Sequence, residues 1–210
     1  MYDCRSEDGL RHGVRMAAAA VAGGELVVLP TDTVYGIGAD AFSPEAVERL
    51  LAAKGRGRTM PPPVLVASPA MMAALAQPLP DWVLALTEAY WPGGLTLVVA
   101  AQPSLYWDLG ETSGTVALRI PDHPAAQDLI RATGPLAVSS ANLTGYPTGT
   151  TAAETRKQLG ESVSIYLEAG ELPVGTASTV VDATGEEPVV LRAGHLTEAE
   201  VRATAGFAAR

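Results

Sequence analysis

The sequence predicts an α/β fold in which helices flank a mixed β-sheet. Two observations carry the prediction. Segments with helical and strand-like patterns alternate along most of the 210 residues, and several short strand-like segments follow one another near the C-terminal end. Alternation is typical of layered α/β structures, whereas consecutive strands favour antiparallel pairs within the sheet. The length suits one hydrophobic core, so we expect a single domain over residues 1–210.

Helices are predicted from apolar spacing and from residues that begin or end a helix. Gly23 and Gly24 end the first helical pattern. Ser43 and Pro44 supply an N-cap and a proline for the first turn of the second helix, and a capping box over residues 197–200 begins the last one. The helical segments are residues 10–22, 43–54, 80–90, 122–132 and those after 197.

Strands are predicted where short apolar runs lie between turn-forming residues. The strand-like segments are residues 25–29, 64–67, 95–101, 115–120, 136–138, 163–167, 178–182 and 189–191. Residues 31–42 and 139–150 are rich in glycine and hydroxyl side chains, and each stretch directly follows a buried strand. We expect both stretches to be loops.

The composition excludes several classes of protein. A hydrophobic content of 48% is that of a globular chain, and the absence of a long apolar run or a signal-peptide pattern favours a cytoplasmic protein. A net charge of −9 disfavours binding of nucleic acid to the general surface. Cys4 has no partner for an internal disulfide, and His12, His123 and His195 lack the spacing of metal ligands.

The loop over residues 31–42 has two interpretations. Its Thr and Asp side chains either close a turn by bonding their own backbone or line a ligand site at the end of a strand. Residues 36–41 (GIGADA) also match a dinucleotide fingerprint in letters. The glycines come too late after the strand, and no acidic residue lies near the expected ribose position, so we interpret the match as accidental. An NADP-binding enzyme is the corresponding alternative.

Cations form a second group of candidates. Lys54, Arg56 and Arg58 fall within five residues and alternate with glycine. They either complement a helix C-terminus and stay solvated or hold a polyphosphate, and the pattern does not decide between the two. In both cases we expect Lys54 and Arg56 to lie in an exposed loop or helix end. Arg119, at the end of its strand, is either a surface residue or a bidentate ligand for a carboxylate or phosphate.

Small hydroxyl and amide side chains follow two further strands. Residues 139–145, and residues 178–182 together with Arg192, are weak signals individually because such residues commonly close turns. The recurrence of a polar loop or an arginine beside a buried strand at five places is a stronger signal than any single member, because an anion pocket lined from several strands requires such a pattern. The sequence contains no P-loop, Gly-x-Ser-x-Gly elbow, kinase motif set or HExxH motif.

Six motifs, taken in order, give the chain a family resemblance. They are PTDTVYGIGADA, KGR, WPGGLTLVV, TVALRIPDH, SSANLTG, and STVVDAT followed by VLRAG, and they span about residues 24–194. Together they resemble the threonylcarbamoyl-AMP synthase family, whose domain is YrdC-like. The resemblance implies a twisted α/β sheet that encloses a large, locally positive cavity.

The resemblance also implies a nucleotidyltransferase reaction. L-threonine, bicarbonate or CO2, and ATP would give threonylcarbamoyl-AMP and pyrophosphate with the help of Mg2+. This would be the first step of threonylcarbamoyladenosine formation in tRNA, beside the anticodon. The implied partners are the three substrates and the downstream enzymes that transfer the threonylcarbamoyl group to tRNA; a direct contact with tRNA is a weaker expectation, and a membrane partner is not expected.

Individual positions receive roles from the same resemblance. Lys54, Arg56, Ser140 and Asn142 correspond to a Lys-x-Arg plus Ser-x-Asn set that is implied to be catalytic and to hold ATP. The further implied ATP-binding residues are Met60, Thr115, Ala141, Gly149 and Arg192. The implied L-threonine-binding residues are Thr33, Arg119, Ser139 and Ser178, with Arg119 on the carboxylate. No metal ligand is assigned, and Asp32 and Asp182 are candidates only.

The chain departs from the family pattern in one segment. Where many members have Asn-Pro-Leu and later a histidine, it has Met60, Pro61 and Pro62, and then Leu65. Contacts to adenine or threonine made there are expected to differ. The chain otherwise resembles the short form without an additional C-terminal domain. The alternatives are a module that binds double-stranded RNA or tRNA without turnover, which the net charge of −9 disfavours, and a carbamoyl-handling domain of hydrogenase maturation.

Overall fold

A computed structural model describes residues 1–172 and 176–208. In these ranges the strands are β1 (Tyr2–Asp3), β2 (Val27–Leu29), β3 (Gly36–Asp40), β4 (Val64–Leu65), β5 (Leu95–Ala100), β6 (Thr115–Arg119), β7 (Leu136–Ser140), β8 (Ile165–Glu168), β9 (Thr179–Asp182) and β10 (Val189–Arg192). The helices are α1 (Glu7–Ala22), α2 (Pro44–Ala53), α3 (Pro69–Leu75), α4 (Asp81–Tyr90), α5 (Pro124–Thr133), α6 (Ala152–Leu159) and α7 (Glu198–Thr204), with a 3₁₀ turn at Gly160–Ser162.

The strands form one mixed sheet in the order β1-β8-β2-β3-β7-β4-β6-β5-β9-β10. The pairs β1/β8, β2/β8, β4/β6 and β5/β9 are parallel. The pairs β2/β3, β3/β7, β4/β7, β5/β6 and β9/β10 are antiparallel. The predicted α/β class with a mixed sheet is therefore confirmed.

Apolar side chains alternate between the two faces of the sheet. Along β2, Val27 and Leu29 pack into a cluster with residues of α1 and α5, whereas Val28 points into a second cluster. The second and larger cluster includes Leu50 of α2 and Leu86 of α4. A strand side-chain period of two explains the alternation, and helices cover both faces of the sheet as a result.

The prediction of a loop over residues 31–42 is wrong for its second half, where β3 lies. The reason is the close approach of neighbouring side chains. A Cβ atom on Gly36 would lie 2.6 Å from Cγ1 of Val138, and one on Gly38 would lie 3.2 Å from Cδ2 of Leu29. The sheet therefore favours glycine most strongly at Gly36 and less strongly at Gly38, and glycine weakens the sequence signal of a strand.

Two short helices, α3 and α6, were not predicted, and α1 begins earlier than expected. Each has a hydroxyl N-cap whose side chain accepts a backbone hydrogen bond: Ser68 for α3, Thr151 for α6 and Ser6 for α1. In the described ranges, no helix combines the length and apolar character needed to cross a membrane. The single-domain organisation over residues 1–210 stays a prediction.

Candidate active site

A cavity of about 400 Å³ lies against the sheet and is lined from many separate stretches of the chain. Its walls are formed by Thr31, Thr33, Val34, Gly36, Arg56, Pro63, Leu65, Thr96, Arg119, Val138, Ser139, Ser140, Pro147, Thr148, Gly149, Thr150, Leu172, Ala177, Ser178 and Arg192. Three of these described residues are arginines and none is Asp or Glu. The walls therefore carry an excess of positive charge in a chain whose net charge is −9.

Arg119 is held on three sides by neighbouring groups. Its Nε donates a hydrogen bond to the carbonyl oxygen of Gly93 at 2.9 Å, Nη1 donates to Oγ1 of Thr33 at 2.9 Å, and Nη2 donates to Oδ1 of Asp32 at 2.6 Å. Only 6% of Arg119 is exposed. A guanidinium has five N–H donors, so two remain for a ligand once these three bonds within the described chain are counted.

The loop before β3 is built to present Asp32 and Thr33 to this arginine. Oγ1 of Thr31 accepts hydrogen bonds from the backbone N–H groups of Thr33 at 3.1 Å and Val34 at 3.2 Å. It also donates to the carbonyl oxygen of Val34 at 2.6 Å. Both interpretations of this loop therefore apply. The hydroxyl of Thr31 closes the turn, and side chains of the same turn line the cavity.

Arg56 enters the cavity from the segment that follows α2. Its Nη1 donates to Oγ of Ser139 at 3.2 Å, while its Nε is buried and has no hydrogen-bond partner in the described part of the chain. Burial lowers the pKa of Arg56, although a guanidinium stays protonated. A buried N–H without an acceptor is unfavourable, so the position of this guanidinium costs free energy in the described chain.

Arg192, at the exposed end of β10, is joined to Ser178 on the cavity wall. Its Nε and Nη2 donate to the carbonyl oxygen of Ser178 at 3.1 and 2.8 Å, and Nη2 also donates to Oγ of Ser178 at 2.9 Å. The hydroxyl of Ser178 lies 2.8 Å from Oγ1 of Thr96, which is 1% exposed. The structure therefore links a residue predicted for ATP directly to one predicted for L-threonine.

The three guanidinium groups influence one another. Burial lowers the pKa of Arg119, Asp32 opposes this effect and Arg192 adds to it. Partial burial and the nearby Arg56 lower the pKa of Arg192. Like charges that share a cavity repel each other, so binding of an anion would relieve the repulsion.

Lys54 does not line the cavity and is not exposed. It is the C-cap residue of α2, is 1% exposed, and donates hydrogen bonds from Nζ to the carbonyl oxygens of Ser140 and Asn142. Burial and, to a smaller degree, Arg56 lower the pKa of Lys54 to about 8. The expectation of an exposed Lys54 is wrong, because its side chain folds back to tie the helix end to the loop after β7.

Asn142 closes that same loop. Its Nδ2 donates to the carbonyl oxygens of Leu143 at 2.8 Å and Tyr146 at 2.7 Å, and its Oδ1 accepts from Oγ1 of Thr148 at 3.1 Å. Asn142 is 8% exposed. The side chain thus shapes the stretch that brings Thr148 and Gly149 to the cavity wall.

The structure brings most of the predicted site residues together. Those that line the cavity are Thr33, Arg56, Arg119, Ser139, Ser140, Gly149, Ser178 and Arg192. Those that do not are Lys54, Met60, Thr115, Ala141 and Asn142. Met60 is 43% exposed, and Thr115 begins β6, whose opposite end carries Arg119. At a rise of about 3.3 Å per residue, some 13 Å of strand separates those two residues.

Sequence reasoning missed several lining residues. Thr31, Thr96, Thr148 and Thr150 add hydroxyl groups, while Val34, Leu65 and Val138 add apolar surface. Thr96 was missed because it lies in the apolar run of β5, where threonine is an ordinary strand residue. A single hydroxyl within an otherwise apolar strand is the signal that could have identified it.

The described residues do not form a metal site of their own. No group of three or more His, Cys, Asp or Glu residues in the described ranges could hold a metal ion. Of the two candidates, Asp32 pairs with Arg119, and Asp182 accepts hydrogen bonds from the backbone and hydroxyl of Thr184. A cavity wall of hydroxyls and guanidinium groups does not fit Mg2+, which prefers carboxylate ligands and water.

Comparison with known proteins relates this geometry to one family. The Sua5_yciO_yrdC family model, described as "Telomere recombination", matches residues 19–194. A protein of Mycobacterium tuberculosis (strain ATCC 25618 / H37Rv) is 49% identical over 205 residues, which are 98% of this chain and 94% of the relative. Threonylcarbamoyl-AMP synthase of Bacillus subtilis (strain 168) is 37% identical over 196 residues, 92% of this chain and 56% of the relative.

Among solved structures, P. abyssi Sua5 complexed with L-threonine superimposes with a TM-score of 0.86 at 36% identity. The match covers 91% of this chain and 56% of the P. abyssi chain, so this chain spans a little more than half of that protein and of the B. subtilis relative. The segment that the family model matches, residues 19–194, contains every described residue that lines the cavity. The chain belongs to the Sua5/YciO/YrdC family.

Proposed function

We propose that the chain is a threonylcarbamoyl-AMP synthase, which converts L-threonine, bicarbonate or CO2, and ATP to threonylcarbamoyl-AMP and pyrophosphate. The observation that carries the proposal is the cavity itself. Arg56, Arg119 and Arg192 meet there, and none of the described lining residues is acidic. Such a wall suits a ligand with several negative charges, and ATP together with an amino-acid carboxylate has that character.

Arg119 supports the amino-acid half of the proposal. Two of its N–H donors are uncommitted in the described chain, and the bonds to Gly93, Thr33 and Asp32 fix the plane of the guanidinium. A fixed guanidinium with one uncommitted N–H on Nη1 and one on Nη2 suits capture of a carboxylate. Leu65 and Val138 lie on the same wall and would face the less polar parts of the substrate.

Arg56 and Arg192 support the nucleotide half. Both arginines line the cavity, and Ser140 and Gly149 add a hydroxyl and a backbone position to its lining. Guanidinium groups in a partly enclosed cavity stabilise phosphate charge more strongly than they would in water. We assign the triphosphate to this side of the cavity.

The reaction requires positioning and neutralisation of charge more than a strong base. The amine of L-threonine adds to CO2 and loses a proton, which gives a carbamate. A carbamate oxygen then attacks the α-phosphorus, and the bond from that phosphorus to the β-phosphate bridging oxygen breaks as pyrophosphate leaves. By analogy with phosphoryl transfer, the arginines would orient the two anions and neutralise their charge during this displacement.

Lys54 and Asn142 have indirect roles in the proposal. Neither lines the cavity, whereas each fixes the backbone or side chains of the loop over residues 140–149. Any Mg2+ would arrive bound to the ATP phosphates, since a magnesium ion held mainly by phosphates and water needs few protein ligands.

The alternative of an RNA-binding module is less well supported. Surface arginines such as Arg5, Arg11, Arg49 and Arg58 each form an ion pair with a carboxylate, so they offer little free charge to a phosphate backbone. We propose that the product is instead passed to a separate enzyme, one that transfers a threonylcarbamoyl group to tRNA. The proposed place of action is the cytoplasm.

Release of pyrophosphate tests the proposed function. Purified protein is supplied with ATP, bicarbonate and Mg2+, together with L-threonine, with L-valine or with no amino acid. L-valine is nearly isosteric with L-threonine and lacks its hydroxyl, so it controls for recognition of that group. Release that depends on L-threonine is the expected result. Folded protein that releases no pyrophosphate with any amino acid, yet retains RNA in a salt-sensitive manner, would overturn the proposal in favour of the RNA-binding module.

A further inference from the structure

Thr96 on β5 is a cavity residue to which the family resemblance gives no role. Its side chain is 1% exposed and lies on the cavity wall. Its Oγ1 is 2.8 Å from Oγ of Ser178, and this is the one side-chain hydrogen bond that Thr96 forms in the described chain. A buried threonine hydroxyl in the middle of an apolar strand is unfavourable unless it is bonded, so the contact with Ser178 is what stabilises it there.

The arrangement of donors and acceptors gives this contact a direction. Nη2 of Arg192 donates a hydrogen bond to Oγ of Ser178 at 2.9 Å. This bond uses one lone pair of the serine oxygen and does not use the serine proton. If Thr96 donates to Ser178 as well, the Thr96 hydroxyl is satisfied and Ser178 keeps its own proton. The reverse direction would leave the Thr96 proton without an acceptor among the described residues. We therefore assign Thr96 as the donor.

Ser178 is then a strengthened donor that faces the cavity. Its oxygen accepts from a cation and from a hydroxyl, and hydrogen bonds accepted by an oxygen polarise its own O–H group. Ser178 lies beside Arg192 and on the same wall as Arg119. An anionic oxygen is the ligand group that all three would favour.

We infer that Thr96 is a positioning residue, which fixes Ser178 so that the serine hydroxyl donates to an anionic oxygen of the amino-acid substrate, either its carboxylate or the carbamate formed from it. The inference rests on the proposed function, since that function supplies the amino acid. Arg192 holds the same serine, so Ser178 is anchored by residues of β5 and β10, the two strands that neighbour β9.

The test is calorimetric titration of L-threonine and, separately, of ATP into a set of variants. Thr96→Val removes the hydroxyl with little change of shape, and Thr96→Ser restores it. We expect Thr96→Val to raise the Kd for L-threonine about three- to tenfold and to change the Kd for ATP by less than about twofold. Thr96→Ser should bind within about twofold of the unmodified protein.

A double variant separates positioning from general damage. If Thr96 acts through Ser178, then Thr96→Val should change the Kd for L-threonine by less than about twofold once Ser178→Ala is present. Thr155→Val is the matched control, because Thr155 is 0% exposed, bonds the carbonyl oxygen of Ala152 in α6 and does not line the cavity. Thr96→Ala provides a second removal of the hydroxyl should the valine variant unfold.

The possible outcomes test the inference and the proposed function separately. An unchanged Kd in Thr96→Val, or effects of Thr96→Val and Ser178→Ala that add fully, overturns the inference and leaves the proposed function intact. Failure of the unmodified, folded protein to bind L-threonine overturns the proposed function and the inference with it.

Discussion

Nζ of Lys54 donates a hydrogen bond to the carbonyl oxygen of Asn142, a residue 88 positions later in the chain, at a distance of 2.7 Å. The same amine bonds the carbonyl oxygen of Ser140. The end of α2 is thereby joined to the loop that follows β7, which supplies Ser140 and Gly149 to the cavity. A lysine that the motif assigns to ATP therefore holds backbone in place, and we expect its effect on ATP to be indirect.

The first prediction is that Lys54 contributes to stability. Lys54→Met leaves the carbonyl oxygen of Asn142 without this donor, and an unsatisfied buried polar group costs about 1–3 kcal/mol. We expect a loss of that size in the free energy of unfolding, measured with urea. Lys157→Met, which changes the same residue type at an exposed position of α6, should cost less than about 0.5 kcal/mol. Equal effects of the two substitutions would show that Lys54 has no structural role.

The second prediction concerns pH. The pKa of Lys54 is lowered from 10.5 to about 8, mainly by burial and secondly by Arg56, so between these values the unfolded chain binds more protons than the folded one. The pH-dependent part of the Lys54 contribution to stability is thus present above pH 10.5 and is lost as the pH falls through about 8, whereas its hydrogen bonds to the two carbonyl oxygens can form with the charged or the neutral amine. We expect the free energy of unfolding to rise with pH across this window by more in the unmodified protein than in Lys54→Met. A constant difference between the two proteins would contradict the assignment.

The third prediction compares two neighbouring arginines. Arg56→Gln should raise the Kd for ATP about ten- to a hundredfold, because a charged hydrogen bond of this kind is worth about 1.5–3 kcal/mol. Arg58→Gln is the matched control, since Arg58 is exposed and pairs with Asp108 outside the cavity. An exposed ion pair contributes at most about 1 kcal/mol to stability, and its loss should leave the Kd for ATP unchanged. Both variants are measured by titration calorimetry. Similar Kd values for ATP would show that Arg56 does not bind the nucleotide.

The fourth prediction concerns the shape of the cation that holds the amino acid. Lysine cannot bond Gly93, Thr33 and Asp32 and still present two parallel donors, so Arg119→Lys should raise the Kd for L-threonine about ten- to a hundredfold. The Kd for ATP should change much less. Arg131→Lys, on the exposed face of α5, is the control for the same substitution. Binding of L-threonine within about twofold of normal in Arg119→Lys would exclude a bidentate role.

The fifth prediction rests on packing around Gly194. A Cβ atom at this position would overlap the carbonyl oxygen of Ala177 and the backbone nitrogen of Thr179, and would lie 2.5 Å from the carbonyl carbon of Ser178. Gly194→Ala should therefore displace Ser178, lower the free energy of unfolding by about 1–3 kcal/mol and weaken binding of L-threonine. At the exposed Gly185 a new Cβ would meet no atom closer than 4.0 Å, so Gly185→Ala should be close to neutral. Chemical unfolding and calorimetry would detect the difference, and a neutral Gly194→Ala would contradict the packing argument.

The sequence predicted the fold class and most strands because their apolar runs are strong local signals. The recurrence of polar loops and arginines also predicted one anion pocket lined from several strands, and Arg56, Arg119 and Arg192 all line the same cavity. It could not predict that Lys54 and Arg56, two residues apart, point in different directions. That divergence depends on where α2 ends and on carbonyl groups far along the chain.

The role of β3 was hidden for a related reason. Gly36 and Gly38 weaken the local preference for a strand, and the side chains that exclude a Cβ there, Val138 and Leu29, come from neighbouring strands. Thr96 was missed for the opposite reason. It fits its strand by local preference, so its one sequence signal is weak: a hydroxyl side chain within an otherwise apolar run.

The order of strands in the sheet also affects folding of the chain during its synthesis. Tyr2 at the beginning of the chain pairs with Leu167 in β8, and Arg192 of β10 completes a cavity that begins at Thr31. On a ribosome, β1 has no partner until β8 has been synthesised, and the cavity is complete only once β10 has been. Topologies dominated by such long-range pairing fold slowly and leave strand edges open during synthesis. Shortened nascent forms that stop before β10 would thus carry most of the described strands yet lack Arg192, and their cavity would stay incomplete.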